Sequence, residues 1–511
     1  MSLLAFDIGS SRCKAALFSV AGEILGEGVR SYAPEFPRPT FVVMDPEKFW
    51  DAICHVSRAL VHAADRDHVQ ALSISSHAET FVPVSANDLP VGPAILNIDN
   101  RASAEAQWLD RELGRRHLFD VTGLPLHPMF SIPKIIWLRN HQPDVFSAAS
   151  RFLNVTAYLL RRLDLPPYVD YSLASRFLGF DVHRRRWSEE ILSAAGLQAV
   201  RLPIPVPAGT IAGTLRGETA SQLGVAAGTR VVVGGHDQAC GALGVGVISP
   251  GLVADSMGTY ECLTAVSDKP KLGDDAFAAS LNSYCHVIPG MYLTLAYFPS
   301  GIMVKWFNDL LYQDGSRGCE TKGNLGEAEL YAWLESRSPK GPSGLHVTPH
   351  LIGTCSPDFN PHARAAVIGL SASSDSGQIY KGILEGLACE LAQITELVAK
   401  AVGDFRDIYV TGGGSHSLLG LKLRAALTGR RLHVMQCQEA VCLGTAILAG
   451  VAAESYTSIP AAVEQVVKEH AVIEPDLQLA AAYSNYVKEH ALLYSAITKI
   501  RETCTSSEEE E

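Results

Sequence analysis

Twice in this chain an apolar run reaches an aspartate, passes a glycine and a hydroxyl residue, and turns straight back into a second apolar run: "LLAFDIGSSRCKAALF" at 3–18 and "LVADSMGTYECLTAV" at 252–266. Apolar runs that reverse through Gly and Ser or Thr read as paired strands. In the first copy residues 3–6 and 15–20 are the strands, and "AG" before Glu23-Ile24-Leu25 adds a third. Such an opening is a meander and not a βαβ unit. Its recurrence predicts an internal duplication, two domains each begun by the same Gly-hydroxyl device.

A length of 511 residues exceeds one ordinary core and fits two or more domains. After the first meander, Asp45 and Pro46 precede a helical stripe of Phe49, Ile53, Val56 and Leu60. "HVQALSISSH" follows as a strand, and residues 100–230 read as helical and loopy, with breaks at "LDLPPY" and "RLPIPVPAGT". Ser374 or Asp375 caps a long helix through Ile379, Ile383, Leu387, Leu391, Ile394 and Val398, ending near Gly403. "DIYVTGGGSHS" at 407–417 is a strand entering three glycines and a helix. The final "SSEEEE" reads as a disordered acidic tail.

With 47% apolar and 19% charged residues the chain is a mixed α/β globule. A net charge of −12 argues against nucleic-acid or anionic-membrane partners, which require basic surfaces. The eleven cysteines include no C-x-x-C, so reduced thiols are expected, with neither a disulfide framework nor a zinc site. No signal peptide or 18-residue apolar span is present, which predicts a cytoplasmic protein.

Three turns, Gly9-Ser10-Ser11, Gly258-Thr259 and Gly412-Gly413-Gly414-Ser415, offer backbone N–H groups and hydroxyls suited to phosphate oxygens. Taken singly, each is also explained as a tight turn. The Walker and Rossmann glycine signatures are absent. Asp7, ending the first strand, suits either Mg²⁺ or a turn cap, and Lys14 on the returning strand could neutralise a transferred phosphate. In "VVVGGHDQACGALGVG" at 231–246, Asp237 follows a buried strand as a turn cap or as a reactive carboxylate. His77 and His236 are each either satisfied polar residues or ligands.

"DIGSSRCKAALF", "GGHDQACGALGVG", "DSMGTYECL", "PHLIGTCSPDFNPHARAAVIGL" and "YVTGGGSHSLLGLKLRAALTG" occur in the order found in the FGGY family of carbohydrate kinases, which this chain resembles over about residues 3–455. The resemblance implies an α/β chain of two actin-like, ribonuclease-H-type domains with a nucleotide cleft between them. It places a sugar-binding domain at 1–246, an ATP-binding domain at 247–480, and a terminal helix and tail at 481–511. "PIPVP" and Gly244-Val245-Gly246 are candidate hinges.

Carried over by position, Asp237 is the catalytic base; Asp7, with Asp237, is associated with Mg²⁺. Ser10, Ser11, Lys14, Gly258, Thr259, Gly301, Gly412, Gly413 and Ser417 line the ATP site. His77, Ala78, Glu79, Asp99, Met129 and Gln238 fall on the sugar side. Three departures, Ala78, Asn97 for Trp and Met129 for Tyr, point away from glycerol. Lys422 and Ala426 stand where the family has Gln and Asp. The implied activity is ATP- and Mg²⁺-dependent phosphorylation of a terminal hydroxyl of a small ketose, such as the pentuloses xylulose or ribulose, or of a polyol. The alternative is an actin-like nucleotide-binding sugar sensor. Such kinases are compatible with a homodimer.

Overall fold

The structure, a computed structural model, describes residues 1–63, 68–313 and 327–508. Strands β1 (Ser2–Ile8), β2 (Arg12–Ser19) and β3 (Ile24–Ser31) form the expected antiparallel meander. Leu3, Leu4, Ala5 and Phe6 are all fully buried, because β1 is central and covered on both faces. That is why it reads as an unbroken apolar run. Helix α1 (Glu47–Ala63) begins where Asp45 Oδ1 accepts the Glu47 N–H at 3.0 Å, and its stripe from Phe49 to Leu60 packs into the first core.

Strand β4 (Val69–Ser76) lies parallel to β1. The insertion that follows carries α2 (Ser131–His141) and adds three short strands, Phe81–Val84, Ala94–Ile95 and Arg151–Asn154, to a separate five-stranded sheet whose other two strands, Glu35–Arg38 and Phe41–Met44, precede β4. The chain then returns as β5 (Ile211–Thr214) and β6 (Arg230–His236), completing the order β5-β6-β4-β1-β2-β3. Helix α3 (Asp237–Gly244) leaves directly from β6.

The second half repeats this plan. Strands β7 (Val253–Met257), β8 (Tyr260–Ser267), β9 (Asn282–Cys285) and β10 (Tyr292–Pro299) lead to α4 (Gly301–Gln313). Helix α5 (Ser376–Val402) is capped by Asp375, whose Oδ1 accepts the Gln378 N–H at 2.9 Å, and it stops at Gly403, as its sequence predicts. Strand β11 (Asp407–Thr411), α6 (Leu418–Thr428), β12 (Arg431–Met435), α7 (Ala440–Ala452), β13 (Glu469–Ile473) and α8 (Ser484–Glu508) complete it. The sheet order is β9-β10-β8-β7-β11-β12-β13.

As β1 pairs antiparallel with β2 and parallel with β4, so β7 pairs antiparallel with β8 and parallel with β11. Further out, β6 and β12 extend each parallel run in turn. The duplication read from two short turns is therefore a duplication of whole sheets. Helix α8 runs through Glu508, and 509–511 lie outside the described residues. Among the described residues no helix is long and apolar enough to cross a membrane.

The two halves meet closely where α3 crosses α7. A Cβ on Gly244 would stand 1.9 Å from the Ala440 carbonyl oxygen, and one on Gly444 would stand 1.9 Å from that of Cys240. The spacings Cys240-x-x-x-Gly244 and Ala440-x-x-x-Gly444 put small residues one turn apart on both faces, so the backbones touch. Gly244, a candidate hinge residue, is thus packed into this crossing. Gly444→Ala is expected to cost about 2 kcal/mol, the scale of overpacking, read as a lower urea midpoint. An unchanged midpoint would show that the crossing yields freely.

Candidate active site

The junction of β6 and α3 delivers Asp237. Gly234 and Gly235 let the strand end run close beneath its neighbours: added Cβ atoms would stand 2.3 Å from the Ile74 carbonyl oxygen and 2.3 Å from Val287 Cγ1. Asp237 Oδ1 accepts the Gln238 N–H at 2.6 Å and lies 3.0 Å from His236 Nε2. Burial pushes this carboxyl upward, but the His236 and His77 imidazoles and the Gln238 N–H outweigh it and hold Asp237 below the usual carboxylate range.

Asp7, at the end of β1, behaves oppositely. Burial first, and then the charge of Asp237, push it up to about 7 against the pull of Lys14. Two neighbouring carboxylates of divergent acidity are a recurring arrangement for acid–base chemistry. Asp7 Oδ1 is buried without a hydrogen-bond partner, which suits a cation bound by one carboxylate and phosphate oxygens. Among the described residues no group of three or more His, Cys, Asp or Glu is placed to hold a metal ion unaided. Lys14 faces Asp7 across the β1–β2 register, and its Nζ lies 2.5 Å from Glu439 Oε1, just before α7.

On the expected sugar side the residues diverge. His77 is enclosed: Nδ1 lies 2.8 Å from the Ile8 carbonyl oxygen and Nε2 2.7 Å from Thr80 Oγ1. A carbonyl only accepts, so Nδ1 carries the proton and Nε2 accepts from the threonine hydroxyl. Ala78 is packed in the core. Glu79 adopts φ 60°, a left-handed conformation that costs a non-glycine residue roughly 1–3 kcal/mol. Arg176 Nε donates to Glu79 Oε1 at 2.6 Å, while Ser131 Oγ and Lys134 Nζ donate to the Glu79 carbonyl at 3.0 and 2.9 Å. Lys134, fully buried, also donates to the Leu96 carbonyl at 2.7 Å, and burial pulls it down to about 7.

Asp99, assigned to the sugar side by sequence, is closed off by its neighbours. It is fully buried, and its oxygens accept from the Arg101 guanidinium at 2.7–3.0 Å and from the Val42 N–H at 2.5 Å. Arg101 stacks over Phe41 and Trp137, with which it lines an outer groove of about 510 Å³ that includes neither Asp7 nor Asp237. Met129 is half-buried, its Sδ 3.7 Å from the Tyr297 hydroxyl. Beside it, burial pulls His127 down to about 4, so that ring is neutral near pH 7. Gln238 is half-buried next to Asp237.

In the second half, Gly258 and Thr259 form the β7–β8 turn. The Gly301 N–H donates to the Gly258 carbonyl at 3.0 Å, and a Cβ on Gly301 would stand 2.4 Å from that oxygen, so α4 starts directly against the turn. Gly412, at φ 94°, seats the third turn against the same strand end, where a Cβ would lie 2.9 Å from the Met257 carbonyl oxygen. Gly413 follows with open space around its Cβ position. Ser417 is engaged elsewhere: its hydroxyl accepts the Gly420 N–H at 3.0 Å as the cap of α6 and donates to Glu335 Oε1 at 2.7 Å.

The likeness between the two aspartates is only partial. Asp7 precedes its glycine by two residues and Asp255 by three, so strand alternation turns them to opposite faces. Asp255 is fully buried beside Glu261 and Arg424, and Ser256, half-buried, takes the place equivalent to Asp7. Sequence reasoning also missed Lys134, Arg176, Tyr284 and Glu439. A cation inside the apolar runs "SIPKIIWL" and "LASRFLGF" was a readable sign for the first two.

The profile of the FGGY family of carbohydrate kinases matches this chain with its N-terminal domain over residues 2–244 and with its C-terminal domain over residues 253–453. Gluconokinase of Bacillus subtilis is 28% identical over 451 residues, 87% of this chain and 86% of that protein. Xylulose kinase of Lactococcus lactis is 27% identical over 508 residues, covering 98% and 97%. The ligand-bound xylulose kinase of Lactobacillus acidophilus superposes with a TM-score of 0.87 at 22% identity, covering 97% of this chain and 98% of that one.

Proposed function

This chain belongs to the FGGY family of carbohydrate kinases, ATP-dependent phosphotransferases acting on small sugars, and on that premise we propose that it phosphorylates a terminal hydroxyl of a neutral open-chain sugar. A pentulose such as xylulose or ribulose fits best, with polyols next, in a cytoplasmic enzyme. The observation that carries this reading is the state of the cations around Glu79. Arg176 is held by Glu79, Arg101 by Asp99, and Lys134 by two carbonyls, while His127 is neutral. Among the described residues around Glu79, no charge is left to recognise the carboxylate of a sugar acid.

Residues 1–246 would hold the sugar, with Glu79, Met129 and Gln238 as its contacts, and 247–480 the nucleotide. Asp237 orients the sugar hydroxyl for in-line attack on the γ-phosphorus through the oxygen not committed to Gln238 and His236. Its low basicity suits late proton transfer: the O–P bond forms first, and the proton reaches Asp237 as the ADP oxygen departs. Ser10, Ser11 and Lys14 from one side, and Gly258 and Thr259 from the other, would cradle the phosphates, with Gly301, Gly412 and Gly413 behind them. Lys14 would exchange Glu439 for phosphate oxygen. Asp7 would hold Mg²⁺, which when bound with ATP neutralises phosphate charge.

ADP release should be followed by a coupled assay across pentuloses, hexuloses, tetruloses, polyols and gluconate. A pentulose is expected to give the highest kcat/KM, with gluconate at least about tenfold lower, the scale of an unmatched buried charge. Preference for gluconate would overturn the neutral-sugar reading. ADP release independent of any sugar would favour the sensor.

A further inference from the structure

His236 stands between the two halves of the molecule. It ends β6 of the first sheet, yet its Nδ1 lies 3.1 Å from the hydroxyl of Tyr284, in β9 of the second. Its Nε2 is 3.0 Å from Asp237 Oδ1, and its backbone N–H donates to Ser172 Oγ at 2.9 Å. The histidine is 5% exposed and the tyrosine fully buried, with the rings edge to face at 5.4 Å. Both ring nitrogens and the main chain are therefore tied.

Hydrogen-bond chemistry assigns the protons. An ionised Asp237 can only accept, so Nε2 carries hydrogen, and in the neutral ring Nδ1 then accepts from the tyrosine hydroxyl. The Tyr284 ring lies beneath the Arg176 guanidinium at 5.2 Å, and Arg176 Nη1 donates to Asn282 Oδ1 at 2.8 Å. One edge strand thus supports two features of the first half, the base through Tyr284 and Glu79 through Asn282 and Arg176. That strand is itself docked: the Ser283 N–H donates to the Gly123 carbonyl at 2.7 Å, and a Cβ on Gly123 would stand 1.7 Å from the Ser283 carbonyl oxygen.

We propose that His236, held by Tyr284 from the second half, is a positioning residue for phosphotransfer: it fixes the Asp237 carboxylate so that one oxygen meets the sugar hydroxyl when the halves are docked. The inference rests on Asp237 being the base. His236 makes and breaks no bond itself; the hydroxyl proton ends on Asp237. It acts through orientation, as the partner of a catalytic group does in other sites.

The test is steady-state kinetics on the sugar that the unaltered protein turns over best, with His236→Ala, His236→Gln, Tyr284→Phe, and Tyr284→Phe combined with His236→Ala. His236→Ala should lower kcat about 30-fold, within the range for losing an orienting partner, with both KM values within about twofold. His236→Gln, whose amide can still donate to Asp237, should recover at least about fivefold of that loss. Tyr284→Phe should cost about fivefold alone and nothing further beside His236→Ala, the sign of a shared pathway.

The inference is overturned if kcat survives His236→Ala, if Gln does no better than Ala, if the two losses multiply, or if sugar KM alone rises, which would make His236 a sugar contact. Should His236→Ala fail to fold, His236→Gln against Tyr284→Phe gives the same comparison. An active His236→Ala beside an inactive Asp237→Asn sinks this inference while leaving the proposed function intact. An active Asp237→Asn sinks both.

Discussion

Asp237→Asn should lower kcat about a thousandfold, within the span that general acid–base groups contribute, and leave the sugar KM within about threefold. Asparagine keeps the size of the side chain and an oxygen for the Gln238 N–H, which now meets Asp237 Oδ1 at 2.6 Å. What it loses is the charge that draws the hydroxyl hydrogen and the site where the proton comes to rest. Asp7 is raised to about 7 partly by the charge of Asp237, so the substitution lowers Asp7 and leaves it more fully ionised near neutrality. Weakened Mg²⁺ holding by Asp7 would therefore not explain the loss. Purified protein in the coupled ADP assay, at saturating ATP and sugar, decides the matter. Activity within about tenfold of the unaltered enzyme would remove Asp237 from the role of base.

The parts of this molecule that were legible in its sequence are those set by local patterns. Unbroken apolar runs gave the central strands, a three-and-four spacing gave α1 and α5, and Asp45 and Asp375 marked their starts, because caps and stripes act within a few residues. The recurrence of a Gly-hydroxyl turn foretold the duplicated sheets. Partners far apart in the chain were not legible. Lys14 meets Glu439 425 residues away, and Arg176 meets Asn282 106 residues away, pairings that exist only once the two halves dock.

The setting of Asp99 was not legible for a related reason. A carboxylate near expected sugar contacts looks available until the fold wraps Arg101 and the Val42 N–H around it. The second copy of the Gly-hydroxyl device differs from the first for a reason visible in its spacing. A spacing to glycine of three in place of two reverses the face of a strand residue, and Asp255 accordingly lies in the interior, its carboxyl oxygens unpartnered beside the Glu261–Arg424 pair.

Arg424 is the cation of that pair, and Arg424→Leu is expected to destabilise the second half by about 3–5 kcal/mol, the range for stranding one member of a buried ion pair. Arg424 is 3% exposed, and its guanidinium donates to Glu261 at 2.8 and 2.6 Å. It lies between Lys422, exposed, and Ala426, buried, the two departures from the family pattern, so α6 carries its internal charge on the residue between them. Asp255 shares the pocket, raised well above the ordinary range by burial and then by Glu261, with Arg424 opposing both. Leucine would leave Glu261 without its fork in a place water cannot reach. The damage should extend to the nucleotide side, because Ser300 Oγ donates to Glu261 at 2.6 Å and Ser300 precedes Gly301, the residue packed on the Gly258 turn. The KM for ATP should accordingly rise more than that for sugar. Urea unfolding measures the first effect, and Glu261→Gln added to Arg424→Leu should restore more than half of the lost stability by removing the stranded charge. A midpoint unmoved by Arg424→Leu, or one that Glu261→Gln fails to rescue, would mean that this pair does not hold the Gly258–Thr259 turn in place.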